Sequence, residues 1–234
     1  MSGIVGYRPY RVLLDTVGIP VFTFTSTRQL ISVVWDAIEG HYKAYQAGIL
    51  HGDAGVWNIL IGPDGCGLMI DWDLANKLSD LAKSGQHKYR IGTGQFASAA
   101  MLMKPRTHRH VLAEDLESFL HVITWLALRF SKSDLAGDAL EQRLYQLYGG
   151  RSWCQGNYDV GGDGRVSAMM QRPSFKNVFA TPILNTLTDN LNDVFAVCYK
   201  ATPRTGDLAS SLVLFPVSSA FLEEKRQVRA ARLA

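Results

Sequence analysis

The chain has 234 residues, of which 47% are hydrophobic, enough for a globular fold with a buried core. Its 24 Lys and Arg against 21 Asp and Glu leave a net charge of +3, so composition predicts no nucleic-acid partner. Cys66, Cys154 and Cys198 are widely spaced, which excludes a disulfide framework and favours an intracellular compartment, cytoplasmic or nuclear. Neither a membrane span nor a secretory signal peptide is predicted, because no apolar run of about 18 residues occurs.

The N-terminal part of the sequence predicts an extended segment followed by a long helix. Residues 11–24 are rich in Val, Phe and Thr and are interrupted near Gly18, which predicts a strand, a turn and a short extended piece. Ser26 followed by Gln29 resembles a capping box, and apolar residues then recur at helical spacing. We therefore expect a helix from about Thr27 to Ala47.

A β-hairpin and a long irregular segment are predicted next. The apolar run Ile59–Ile61 is followed by the turn residues Gly62-Pro63-Asp64-Gly65 and by a second apolar run at 68–70. Residues 75–108 have no clear periodicity and are interpreted as irregular, a length that usually has a function in a compact domain.

The C-terminal half predicts mainly helices. Helical periodicity covers 111–130 and, more weakly, 134–148. Residues 151–175 are rich in glycine and are interpreted as a loop, with a helix near 183–200 after them. A basic helix is predicted from about Ala220. The sequence as a whole therefore predicts an α+β fold that is mainly α-helical with a small β-hairpin.

Three oxygen-bearing side chains have the spacing expected for phosphoryl transfer. That reaction requires a group that accepts the proton of the substrate hydroxyl, and oxygen ligands that hold magnesium against the phosphates. Asp53 followed five positions later by Asn58 can supply both, and Asp71 at the end of the returning hairpin strand can complete the oxygen set that magnesium prefers.

This arrangement resembles the protein-kinase catalytic loop H-R-D-x-x-x-x-N followed by the D-F-G segment. It is similar, more narrowly, to the fungal-type protein kinase family, through motifs that occur in order over roughly residues 11–130. These motifs are Ala47-Gly48-Ile49-Leu50-His51, Asn58-Ile59-Leu60-Ile61, Ile70-Asp71-Trp72-Asp73-Leu74-Ala75, Gly92-Thr93-Gly94-Gln95-Phe96 and Glu114-Asp115-Leu116-Glu117-Ser118-Phe119.

The resemblance implies roles for the residues of the loop. Asp53 would be the catalytic base, and His51 would brace the loop. Asn58 and Asp71 would bind Mg²⁺ and, through it, ATP. The implied partner is a protein substrate or another partner protein, and the oligomeric state is not predicted.

The resemblance also implies a division of the chain. Thr93 would contact the catalytic Asp from the activation segment, and Asp115 would hold the catalytic-loop backbone by accepting its N–H groups. Residues 1–25 would be a residual hinge and strand, 26–218 the helical C-terminal lobe of a kinase-like fold, and 219–234 a basic tail.

Five positions depart from the kinase pattern. Gly52 replaces the arginine that in many kinases reads an activation-loop phosphate, so regulation by such a phosphate is not expected. Asp73 replaces the glycine of D-F-G, and Ala99-Ala100 replaces Pro-Glu. Gly55 replaces the lysine common in serine/threonine kinases, so the hydroxyl specificity is not predicted.

Two histidines outside these motifs, His41 and His121, lie on predicted helical faces and are expected to be structural. His108 and His110 lie in a polar link before the central helix, where no metal role is expected.

The largest departure is the expected absence of most of the N-terminal lobe. Protein kinases need a glycine-rich turn over the phosphates and a strand lysine paired with a helix glutamate. About ten residues before the first predicted strand leave no room for them. The sequence thus predicts a truncated or inactive protein kinase-like lobe; the alternatives are a catalytically silent scaffold or a small-molecule phosphotransferase of the aminoglycoside or choline type.

Overall fold

The computed structural model describes residues 16–83, 94–103, 110–149, 151–154, 158–171, 175 and 177–200, with the backbone alone for 151–154 and 158–160. Over these residues the protein is α+β and mainly helical, as the sequence predicts. The described helices are α1 (Thr27–Gln46), α2 (Leu78–Lys83), α3 (Ala99–Met103), α4 (Leu112–Phe130), α5 (Asp138–Leu144), α6 (Asp163–Met170) and α7 (Pro182–Ala196). The described strands are β1 (Ile19–Pro20), β2 (Ile49–Leu50), β3 (Ile59–Ile61), β4 (Gly67–Met69), β5 (Asn76–Lys77), β6 (Arg151–Cys154) and β7 (Tyr158–Gly161).

The strands of the described residues form three small antiparallel sheets, in the orders β1-β3-β4, β2-β5 and β6-β7. In the first sheet, Ile59 pairs with Met69 and Ile61 with Gly67, which confirms the predicted hairpin. In the second sheet, Ile49 of β2 pairs with Lys77 of β5. The two ends of the segment between β2 and β5 therefore lie side by side. This segment contains both the hairpin and the residues of the predicted site.

Helix α1 begins where its capping residues predict. The Ser26 hydroxyl accepts a hydrogen bond from the Gln29 N–H at 3.1 Å, while the Gln29 side chain accepts from the Thr25 N–H at 2.8 Å. These bonds satisfy donors that the first helical turn leaves without intrahelical partners. One face of the helix, including Leu30, Val33 and Val34, is fully buried. Both the predicted helix and its first residue are confirmed.

A glycine allows the hairpin to lie directly on α1. A Cβ atom added at Gly67 would lie 1.9 Å from the Val33 carbonyl oxygen, so any other residue would push the hairpin away from the helix. The Gly67 N–H also donates to the Asp36 carboxylate at 2.9 Å. These contacts fix the hairpin, and with it the position of the residues that follow β4.

Helix α4 lies at the centre of the core. Every residue from Glu114 to Leu128 is buried, including Phe119 and Leu126, which have no exposed surface. The helix packs against α1 and α7. Because α4 is buried all around, its polar side chains must find partners within the protein.

Two predictions about irregular segments were wrong. Residues 75–108 contain β5, α2 and α3, and the predicted loop at 151–175 contains the β6–β7 hairpin and α6. The elements are short, so their periodicity is weak. The glycines that suggested a loop have packing roles instead: Gly162 precedes α6 with a φ of +98°, and a Cβ atom at Gly164 would lie 1.9 Å from the Gln146 carbonyl oxygen.

Two predicted C-terminal helices are shorter than expected. The helix expected at 134–148 is α5, seven residues long, followed by a single π turn at Tyr145–Gly149. The helix expected at 183–200 is α7, followed by a 3-10 turn at Val197–Tyr199. Of the segment predicted at 11–24 as a strand, a turn and an extended piece, residues 11–15 lie outside the described residues, as does the basic tail at 219–234. The described part forms β1 and a 3-10 turn at Val21–Thr23 instead. No helix in the described part of the chain combines the length and apolarity needed to cross a membrane.

Candidate active site

Asp53 and Asn58 lie together in the loop between β2 and β3. The Asn58 amide donates to the Asp53 carbonyl oxygen at 2.8 Å and lies 3.4 Å from the Asp53 carboxylate. Asn58 is buried and ends a 3-10 turn at Val56–Asn58, whereas Asp53 is partly exposed. Because the amide nitrogen faces Asp53, the amide oxygen of Asn58 is the atom of that side chain suited to bind a cation.

Asp71 follows the returning strand of the hairpin in a strained conformation. The Ile70 N–H donates to the Asn58 carbonyl oxygen at 2.9 Å, which joins the residue before Asp71 to Asn58. Asp71 has φ 61° and ψ 64°, in the left-handed region that L-residues rarely adopt. Its carboxylate is exposed and makes no hydrogen bond to the described residues. Strain of this kind is common where a side chain must be aimed at a ligand.

His51 connects the loop to the hairpin. The ring is buried; Nε2 lies 3.0 Å from the Ile70 carbonyl oxygen, and Nδ1 accepts from the Asp53 N–H at 3.2 Å. A carbonyl oxygen needs a donor and an N–H needs an acceptor, so His51 is the neutral tautomer with its proton on Nε2. Burial lowers the pKa of His51, and the hydrogen bond to Ile70 opposes this effect. The residue predicted to brace the loop thus contacts both Asp53 and Ile70.

Asp115 holds the same loop from α4. Its side chain is fully buried and accepts from the Gly52 N–H at 2.9 Å. It also contacts His41 Nε2 at 2.8 Å and His110 Nε2 at 2.6 Å. Burial opposes ionisation of Asp115, but the hydrogen bonds from His110 and His41 outweigh burial and hold the pKa of the carboxyl far below its usual range. An ionised carboxylate only accepts hydrogen bonds, so both histidines carry a proton on Nε2.

The partners of Asp115 were only partly predictable. His41 lies on the buried face of α1, and its helical spacing was the available signal. No sequence pattern indicates His110, which precedes α4 and is not a helical neighbour of Asp115. The predicted role of Thr93 lies outside the described residues.

A second carboxylate of α4, Glu117, anchors the start of α3. It accepts from the Ala99 N–H at 2.8 Å and from the Tyr199 hydroxyl at 2.5 Å, while the Ala100 N–H donates to that hydroxyl at 3.0 Å. The Arg165 guanidinium binds the carbonyl oxygens of Gln95 and Ala97. Hydrogen bonds to backbone groups thus hold this segment, in which kinases usually have Pro-Glu.

The donor set of the site suits magnesium. The Asp71 carboxylate and the Asn58 amide supply hard oxygen donors, which Mg²⁺ prefers, and Mg²⁺ usually keeps further positions for phosphate and water oxygens. Within the described ranges, no three His, Cys, Asp or Glu side chains are arranged to hold a metal ion.

The loop, the hairpin and the central helix contain the motifs that resemble those of protein kinases. A family model described as fungal protein kinase matches residues 8–127, which is about half of the chain and includes all the residues of the site except those of the C-terminal helices. The chain belongs to the fungal protein kinase family. A comparison with curated proteins finds no match.

Proposed function

We propose that this chain supplies the catalytic loop and the metal-binding side chains of a Mg-ATP-dependent phosphotransferase that acts on protein hydroxyls. One observation carries the proposal. Asp53, Asn58 and Ile70, the residue before Asp71, are joined by two hydrogen bonds at 2.8 and 2.9 Å. The three side chains that this reaction needs therefore come from one hydrogen-bonded unit.

In this proposal Asp53 accepts the proton of the attacking hydroxyl. Its carboxylate is partly exposed, so a substrate can reach it, and its backbone is fixed through His51 and Asn58. Asn58 and Asp71 hold Mg²⁺, which neutralises charge on the ATP phosphates. A general base in such a position contributes about 10²–10⁴ to turnover.

In this proposal the kinase-like C-terminal lobe comprises the described residues within 26–83, 94–103, 110–149 and 161–200. In the part of the chain that the structure describes, the glycine-containing hairpin β3–β4 packs on α1 and leads to Asp71. In protein kinases a different glycine-rich turn covers the ATP phosphates, together with a strand lysine. Because catalysis of phosphoryl transfer is mainly positioning and electrostatics, we expect turnover to be weak unless those groups are present.

Thermal unfolding with and without Mg-ATP tests the metal site. Ligand at 100 times its Kd stabilises the folded state by about 2.7 kcal/mol. We expect Mg-ATP to raise the Tm of the wild type and of Asp80→Asn, a control that removes an exposed carboxylate on α2. The shift should be lost in Asp71→Asn, which keeps the size of the side chain but removes its charge. No shift in the wild type would favour a catalytically silent scaffold.

Phosphotransfer assays test the base and the substrate class. Asp53→Asn should reduce turnover by at least about 10²-fold, while the Mg-ATP shift in Tm is kept. Unchanged turnover would exclude Asp53 as the base. Peptides and amino-sugars should be offered in parallel, and transfer to amino-sugars alone would assign the protein to the small-molecule phosphotransferases instead.

A further inference from the structure

His110 lies where it can act on the catalytic loop without belonging to it. Its Nε2 donates to one oxygen of Asp115 at 2.6 Å, and the other oxygen accepts from the Gly52 N–H at 2.9 Å. Gly52 directly precedes Asp53. A single buried carboxylate therefore connects a residue before α4 to the backbone of the proposed base.

The imidazole of His110 also fills the space beside Gly52. A Cβ atom added at Gly52 would lie 3.5 Å from His110 Cε1, 3.3 Å from the Leu74 carbonyl oxygen and 3.7 Å from Asn76 Nδ2. Gly52 has a φ of +82°, which a residue with a side chain rarely adopts. The backbone conformation therefore disfavours an arginine at position 52, and the approach to the Leu74 carbonyl oxygen is tight as well.

We propose that His110 is a positioning residue that holds the loop of the proposed base through Asp115 and Gly52. The inference rests on the proposed function, because that function gives the loop its catalytic role. The contacts themselves do not depend on it. His110 is 12% exposed and Asp115 is fully buried, so water competes little for their hydrogen bond.

The surroundings of Asp115 show why His110 matters although His41 binds the same carboxylate. His41 and the Gly52 N–H share one oxygen, whereas His110 alone among these three binds the other. Removing His110 frees that oxygen, and the carboxylate can then rotate away from Gly52. The titratable groups that face this cluster are His41 from α1 and His51 from the loop.

Amide hydrogen exchange on the full chain tests the proposal without requiring activity. His110→Leu removes the donor with a similar volume, and His110→Gln returns a donor near the position of Nε2. His121→Leu is the matched control, because His121 binds the other carboxylate of α4, Glu117, at 3.1 Å. We expect exchange in the peptide that contains Gly52 and Asp53 to be about tenfold faster in His110→Leu, since a hydrogen bond to a charged group is weakened.

Rescue separates positioning from general destabilisation. In His110→Gln the exchange rate of the same peptide should return to within about threefold of the wild type, and His121→Leu should leave it unchanged. Equal rates in His110→Leu and the wild type would overturn the proposal, as would equal rates in His110→Leu and His110→Gln. The Mg-ATP shift in Tm, measured on the wild type, reports separately on the proposed function, so the two can fail independently.

Discussion

Helix α4 carries two buried carboxylates that hold two different segments of the chain. Asp115 accepts from the Gly52 N–H of the proposed catalytic loop, and Glu117 accepts from the Ala99 N–H at the start of α3. Residues two apart on an α-helix point about 200° away from each other, since each residue turns the helix by about 100°. The helix therefore fixes one segment on each side, and this is possible because α4 is buried all around.

The two carboxylates differ in how their partners can adapt. Asp115 is fully buried and binds two imidazoles and one backbone N–H. Glu117 is bound by His121, by a backbone N–H and by the Tyr199 hydroxyl, which is partly exposed and can turn to water. Loss of the first carboxylate leaves more groups without partners than loss of the second. The difference leads us to expect that Asp115 contributes more to stability than Glu117.

The largest expected effect comes from removing each carboxylate in turn. Breaking a buried, charged network by removing one member costs about 3–5 kcal/mol. We expect Asp115→Ala to lower the free energy of unfolding in urea by that amount and Glu117→Ala by about 1–2 kcal/mol less, because Tyr199 can bind water. Hydrogen exchange should rise mainly at 51–53 in the first variant and at 99–102 in the second. Equal losses of stability would remove the proposed difference between the two sides of α4.

A smaller loss of stability is expected at acidic pH, and it comes from two buried histidines, one in the loop after β2 and one on α4. Burial lowers the pKa of both His51 and His121, and the charge of Arg165 adds to the shift at His121. The unfolded chain then binds more protons than the folded protein below pH about 6.5, the ordinary pKa of histidine. The stability contributed by the neutral rings is therefore complete above pH 6.5 and is lost as the pH falls through the lowered pKa values.

Tm values between pH 7.5 and 5.5 check this expectation. The Tm of the wild type should fall across this range, and His51→Asn and His121→Gln should each fall less steeply, from a lower starting value. Asp115 does not contribute to the change in Tm between pH 7.5 and 5.5. Its pKa lies below the usual range, so its stabilisation is lost only in stronger acid. A pH dependence that persists unchanged in both variants would show that other groups are responsible.

The smallest expected effect concerns the strain at Asp71. A left-handed conformation costs an L-residue about 1–2 kcal/mol, and glycine adopts it freely. Asp71→Gly should therefore change the free energy of unfolding by less than about 1 kcal/mol, although it removes a proposed ligand. Asp73→Gly, the same change two residues later at a residue outside the left-handed region, should destabilise by about 0.5–1 kcal/mol more than Asp71→Gly. If Asp71→Gly is the more destabilising of the two in urea, the residue does not store strain.

The elements that local sequence specifies were predictable. The capping residues and apolar spacing gave α1 and α4 to within about a residue, and turn chemistry gave the hairpin. The close pair Asp53 and Asn58 was predictable for the same reason, because a loop of five positions brings its own ends together. The short elements β5, α2, α3 and α6 were not, since too few residues are present for a period to be recognised.

The sequence by itself therefore determined the family, the long helices, the hairpin and the spacing of the proposed catalytic residues, all of which depend on neighbouring positions. Only the tertiary structure decided how the loop is held. Asp115 is 63 residues from Gly52 and 74 from His41, and His110 contacts it from outside α4. Such contacts depend on how helices pack, because each partner satisfies a group that burial has removed from water.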